Sequence, residues 1–126
     1  MTDVLSYGEV LHNKGLNLLE SPGNDLVAST ALAVSGAHIV LFTTGRGTPF
    51  GAPVPTVKIS TNTPLFEKKR NWIDFDAGVL VSGTKIDDLA EQFYLYILKL
   101  ASGEEYTKND QNGIRDIAIF KNGVTV

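Results

Sequence analysis

The sequence predicts a small α/β domain, three layers built on a mostly parallel sheet, Rossmann-like but without a dinucleotide fingerprint. Three observations carry that expectation. Short apolar runs of strand length alternate with segments of helical character. One run, Ile39-Val40-Leu41-Phe42, is apolar without alternation, as in a strand covered on both faces. And 126 residues with 43% hydrophobic content suit one core, because domains cluster near ~100–150 residues. The whole chain, 1–126, is therefore read as a single domain.

Taken in order, Gly15-Leu16-Asn17-Leu18-Leu19 reads as a strand that feeds a helix through the turn Glu20-Ser21-Pro22-Gly23-Asn24-Asp25. The helix occupies 26–34, where small residues let it lie close to a sheet, and Gly36 is placed to end it. Residues 39–42 are expected to be the central strand. Thr56-Val57-Lys58-Ile59 is the next strand, followed by a helix start with Thr63 as N-cap and Pro64 at its first position. Ile86, Leu89, Ala90, Phe93, Ile97, Leu100 and Ala101 fall on one helical stripe, with Thr84 as candidate N-cap and Gly103 as stop. Ile117-Ala118-Ile119-Phe120, ended by Asn122-Gly123, is a last short strand.

Composition removes several functions. A formal charge of −3 leaves no broad cationic field for a phosphate backbone, so nucleic acid is not the expected partner. With no cysteine there is no disulfide framework, thiolate nucleophile or sulfur-based metal site. No run approaches the ~20 apolar residues that cross a bilayer, and residues 1–21 lack the basic and apolar regions of a signal peptide. The expectation is a soluble, cytoplasmic protein with no membrane partner. His12 and His38 have no second ligand at a metal-binding spacing and are read as structural, so no metal ligands are assigned within the chain.

The loop after the expected central strand, Thr43-Thr44-Gly45-Arg46-Gly47-Thr48-Pro49-Phe50-Gly51, concentrates the useful chemistry, and ligands in parallel sheets sit beyond the carboxyl ends of strands. Gly45 and Gly47 let backbone N–H groups approach an anion, and the Arg46 guanidinium is a planar fork matched to a carboxylate. Thr43, Thr44 and Thr48 offer hydroxyls to a polyol. The alternative is that the glycines only shape a tight loop and that Arg46 pairs with an acid elsewhere. The spacing G-x-G-x-x-x-G followed by Pro53 and Pro55 is no dinucleotide motif, and there is no Walker loop.

Two further segments are expected to reach the same sheet end. Asn62 and Thr63 close the following strand, and Asp25 lies in the turn after the first strand, where it would serve as base or metal ligand; helix capping is the competing role for Asn24, Asp25, Asn62 and Thr63. Asp74 and Asp76 alternate on one side of an extended segment, either as paired carboxylates for a cation or acid–base chemistry or as solvated turn residues.

The run from Phe42 through Gly51 resembles the signature of the altronate and galactarate dehydratase family. The flanking pieces agree: 15–25, Pro55-Thr56-Val57-Lys58 with Thr61-Asn62-Thr63, and Ile73-Asp74-Phe75-Asp76-Ala77-Gly78. The likeness spans 15–103, with a family-like tail over 117–126. Where the family pattern ends in Asn-Ala-Gly this chain has Asp76-Ala77-Gly78, so no family role is carried to position 76. The resemblance implies the C-terminal domain of a longer hydro-lyase that removes water from a sugar acid, altronate first and galactarate next, to give a 2-keto-3-deoxy product. It implies Arg46 and Thr44 as catalytic, and Thr43, Gly45, Gly47, Thr48, Asn62 and Asp25 as substrate-binding. It also implies a divalent metal, iron or manganese, with ligands on upstream domains of the same enzyme, and leaves room for a homo-oligomer.

Competing readings are a sulfolactate sulfo-lyase subunit, a non-catalytic sugar-acid-binding module, and a structural domain closing an oligomer interface.

Overall fold

The β-branched run at the middle of the chain forms β4 (Thr56–Ser60), the central strand of a three-stranded parallel sheet in the computed structural model, which describes residues 1–118. Its neighbours are β3 (Val40–Thr44) and β5 (Phe75–Asp76), in the order β3-β4-β5. A separate parallel pair joins β1 (Asp3–Leu5) to β2 (Asn17–Leu19). The expected α/β class with parallel pairing is what the chain adopts.

Three details correct the sequence reading. The run at 39–42 is not the central strand: among the described residues β3 pairs only with β4, and Leu41 is left 50% exposed. β4 takes the middle and has four of its five residues buried. Second, β2 does not extend the main sheet, because its partner is β1, a three-residue strand too short to show periodicity. Third, the expected last strand is absent where it can be seen: Ile117 and Ala118 are not in a strand, and Ile119-Phe120 with Asn122-Gly123 lie outside the described residues.

The helices follow the apolar pattern, and the caps of α2 and α3 fall one residue from the expected positions. α1 (Asp25–Val34) starts at Asn24, whose Oδ1 accepts from the N–H groups of Leu26 at 3.2 Å and Val27 at 3.3 Å. α2 (Thr63–Lys68) is capped by Asn62 rather than Thr63, with Pro64 in its first turn. α3 (Ile86–Ser102) begins after Lys85, not Thr84, without a side-chain cap, and ends at Gly103 in the left-handed region. Its stripe lies against the sheet, with Phe93 meeting Phe75 edge-on at 4.8 Å. A 3₁₀ turn over Gly78–Ser82 and the short α4 (Lys108–Gln111), capped by Thr107, were not expected, since each is too short to show a helical period. His12 and His38, read as structural, are both exposed and pack in no core.

Asp74 joins three of these elements. Its carboxylate accepts from the Lys58 N–H on β4 at 2.7 Å and from the Lys108 N–H on α4 at 2.6 Å, and it is hydrogen-bonded to Tyr96 of α3. It is thus neither a solvated turn residue nor half of a free carboxylate pair; Asp76 is engaged separately, accepting from the Gly78 N–H at 2.9 Å. Burial pushes the Asp74 carboxyl above its ordinary range, against the pull of the two backbone donors and the Lys108 and Lys58 charges. The folded state therefore holds this proton to higher pH than the unfolded chain, and acidification through the folded value recovers part of the cost of burying the charge. Asp74→Ala should destabilise the domain by on the order of 1–3 kcal/mol for each backbone N–H left unpaired, as measured by denaturant unfolding. Asp74→Asn should cost less, and its deficit against the wild type should widen as the pH is lowered from neutrality through the folded pKa.

Candidate functional site

Because β3, β4 and β5 run parallel, their carboxyl ends share one edge of the sheet, and the chain that leaves each end is drawn together by hydrogen bonds. The Thr44 carbonyl accepts from the Thr61 N–H at 3.0 Å and the Thr61 hydroxyl at 3.3 Å. The Asn62 amide is used at both ends: Oδ1 accepts from the Leu65 N–H at 2.9 Å to cap α2, and Nδ2 donates to the Gly45 carbonyl at 3.1 Å. Asn62 therefore caps α2 and ties that cap to the glycine loop.

The loop's own shape depends on Thr44 and Gly47. The Thr44 hydroxyl accepts from the Gly47 N–H at 2.9 Å, and Gly47 closes this turn with φ 82°, a conformation that side chains resist. Arg46 stands exposed at the apex. Among the described residues its guanidinium has neither an ion pair nor a hydrogen bond, since the sole ion pair there joins Arg115 to Asp110.

From Gly47 the chain folds back along the sheet. At Gly51 it passes so close to the C-terminal segment that a Cβ would stand 2.5 Å from the Ile114 carbonyl oxygen and 3.1 Å from Asn109. The Asp116 N–H donates to the Gly51 carbonyl at 2.6 Å, and the Asp116 carboxylate accepts from the Gly51 N–H at 3.4 Å. Asn109, itself buried, donates through Nδ2 to the Phe50 carbonyl at 3.0 Å.

This return leaves a cavity of about 490 Å³ between the start of α1 and the loop, lined by Asn24, Asp25, Leu26, Thr48, Pro49, Phe50 and Asp116. Asp25 and Thr48 meet there, as does Asn24. A second cavity of about 290 Å³, lined by Asn62, Thr63, Pro64, Gly78, Val81 and Ser82, opens beyond β4 and β5. Of the residues expected to bind substrate, Asp25 and Thr48 share one wall and Asn62 belongs to the other cavity. Thr43, Thr44, Gly45, Arg46 and Gly47 line neither.

A group that the motif reading passed over lies behind the first cavity. The Lys58 side chain is fully buried, at 0% exposure, and its ammonium donates to the Thr48 carbonyl oxygen. Nζ sits 4.4 Å from the centroid of the Phe50 ring and 5.5 Å from that of Phe42, which meets Phe50 edge-on at 5.1 Å. No carboxylate of the described residues is within ion-pair distance. Burial lowers its pKa to about 8, while Asp74, Asp116 and Asp25 pull it upward. A lysine in the middle of an otherwise β-branched strand of a parallel sheet was the available signal, because such strands are buried on both faces and lysine is rarely buried without a purpose.

Against known proteins, the sequence pattern described as D-galactarate/Altronate dehydratase, C-terminal, matches residues 1–125. The chain belongs to this family. It is 55% identical over 131 residues to an altronate dehydratase of Bacillus subtilis (strain 168) and 56% identical over 126 residues to an altronate dehydratase of Escherichia coli (strain K12), in each case along its whole length. A galactarate dehydratase (L-threo-forming) of Escherichia coli (strain K12) is 35% identical over 123 residues, covering 95% of the chain. The chain spans about a quarter of the length of these curated relatives, 25% for the altronate dehydratases and 24% for the galactarate dehydratase.

The arrangement divides the groups of this region into two sets. Thr44 is engaged with Gly47 and Thr61, and Asn62 with Gly45 and Leu65, which holds the loop against β4 and α2, whereas Arg46 and the Thr48 and Asp25 side chains make no hydrogen bond among the described residues. Among those residues no group of three or more His, Asp or Glu side chains could hold a metal ion, and no helix is long and apolar enough to cross a membrane. Asn62→Ala should remove the α2 cap and the tie to Gly45 together, costing about 0.5–2 kcal/mol for the cap alone. Denaturant unfolding reads that loss, and amide hydrogen exchange at Leu65, whose N–H loses its acceptor, should accelerate.

Proposed function

We propose that this chain is the C-terminal domain of a sugar-acid hydro-lyase and forms one wall of its substrate site. The reading rests above all on the family match over residues 1–125, with two relatives named altronate dehydratase at 55% and 56% identity. Altronate is accordingly the favoured substrate and galactarate the next.

Dehydration of such an acid removes a proton from the carbon beside the carboxylate, builds negative charge on an enediolate, and expels the β-hydroxyl as water once it is protonated. The product then tautomerises to the 2-keto-3-deoxy acid. The step calls for a base, a group that stabilises the developing charge, and an acid for the leaving group. Arg46 supplies a guanidinium suited to the substrate carboxylate and the charge growing next to it. The Thr48 hydroxyl and the Asp25 carboxylate, on the wall of the cavity, suit the hydroxyls of the polyol chain. Thr44 acts by holding the turn that presents Arg46, through its bond to the Gly47 N–H.

Base and leaving-group acid are assigned to the part of the enzyme outside this chain. So are the ligands of the divalent metal expected of the family. That metal would supply Lewis acidity to the substrate oxygens when bound. The part of the relatives that this chain does not match, about three quarters of their length, leaves room for those groups.

Two outcomes test the reading. The chain alone, supplied with altronate and iron or manganese, should show no turnover, whereas the intact enzyme should form the 2-keto-3-deoxy acid. Arg46→Ala in the intact enzyme should lower kcat/KM for altronate by the worth of a charge-assisted hydrogen bond, ~1.5–3 kcal/mol or roughly 10- to 100-fold. Unaltered kinetics would remove Arg46 from the site.

A further inference from the structure

The loop, the 490 Å³ cavity and the buried lysine are in direct mechanical contact. Lys58 touches the cavity's wall from behind at two points, the Thr48 carbonyl and the Phe50 ring, and both residues also line the cavity. Two of the three carboxylates that act on its charge, Asp25 and Asp116, are the two carboxylates of that same cavity; the third, Asp74, approaches from the segment leading into β5 and is shared with the Lys108 charge on α4. A fully buried ammonium that has no carboxylate in ion-pair range among the described residues costs folding free energy, and its loss of charge would relieve that cost.

We propose that Lys58 is a charged positioning residue of the substrate site: its ammonium fixes the cavity wall formed by Thr48 and Phe50, and its positive charge offsets Asp25 and Asp116 so that an anionic ligand is admitted. The ligand class is a carboxylate-bearing polyol, so the inference rests on the dehydratase reading for its substrate while standing on its own geometry. A neutral wall would leave Asp25 and Asp116 facing the incoming carboxylate unopposed. Since the folded pKa, about 8, lies below the ordinary lysine value of 10.5, the charge and the binding it favours are present at neutral pH and fade as the pH rises through about 8. Stability moves in the opposite direction, because the unfolded chain holds more protons in the window between those two values.

The opposed signs give the test. Lys58→Met keeps the length and apolar contacts of the side chain in the aromatic cage and removes only the charge and its donor. In the 126-residue chain the melting temperature of Lys58→Met should equal or exceed that of the wild type at pH 7. In the intact enzyme, altronate affinity measured by calorimetry and KM should weaken at least tenfold, with a smaller change in kcat. Wild-type affinity should fall between pH 7 and pH 9.5, Lys58→Met should be flat across that range, and Lys58→Arg, whose charge does not titrate there, should retain affinity at pH 9.5. A melting temperature that drops for Lys58→Met while altronate affinity is unchanged would make Lys58 a structural pillar and overturn the proposal. So would an unchanged affinity, or a pH dependence that persists in Lys58→Met. If the wild-type intact enzyme neither binds nor turns over altronate or galactarate, the dehydratase reading itself fails. The same affinity comparison, run with inorganic sulfate as the anion probe, then decides the role of Lys58.

Discussion

The arrangement of this domain depends on one face of its central strand being polar. In the parallel register, Thr56, Lys58 and Ser60 of β4 stand beside Val40, Phe42 and Thr44 of β3, so the three polar side chains of β4 project to one side of the sheet. Buried polar groups need partners, and an apolar helix packed on that face could not have supplied them. The chain that returns from β3 does so with its backbone. The Thr56 hydroxyl accepts from the Ala52 N–H at 2.9 Å and donates to the Val54 carbonyl at 3.0 Å, and Lys58 takes the Thr48 carbonyl. The loop is therefore shaped as much from below as by its own glycines. The opposite face follows ordinary packing, with Ile59 and Phe75 turned toward Leu89 and Phe93 of α3.

The difference between the faces explains what the sequence made legible. A run of small apolar residues marked α1 and a helical apolar stripe marked α3, while an unbroken apolar run marked β3 and a β-branched run marked β4. Periodicity says nothing about which of two similar strands has a neighbour on each side, and so β3 was misplaced at the centre. Side-chain reach, rather than residue type, decided the caps: Asn62 and Thr63 both suit an N-cap, and Asn62 wins because its amide serves Leu65 and Gly45 at once. α4 is four residues, and its cap at Thr107 lies among polar residues with no apolar repeat to frame it.

For the site, the loop was legible because glycine, threonine and arginine are unusual together and follow a strand of an expected parallel sheet. What was not legible is which of those groups are consumed by the scaffold. Thr44 looked like a group for chemistry and is engaged in holding the turn. Asp25 was expected to reach the site through a common sheet, and it lines the cavity with Thr48 although β2 belongs to a different sheet. The connection is made by the first turn of α1, which no strand order could have revealed. Lys58 escaped notice for the converse reason: it lies inside a strand, away from every turn and motif.

Charge balance unites these observations. The cavity wall carries two carboxylates, and under the proposed function a sugar acid would bring a third negative charge into the same space. In water those repulsions would be small, but their strength grows as the surroundings become less polar. Exposed Arg46 answers part of this at a distance, from the loop apex, where solvent screens it. Lys58 answers it from behind the wall, where solvent does not reach and the same charge acts with greater force. On the role proposed for Lys58, the negative charge that answers its buried ammonium comes from Asp25, Asp116 and Asp74 and, once bound, from the ligand's carboxylate.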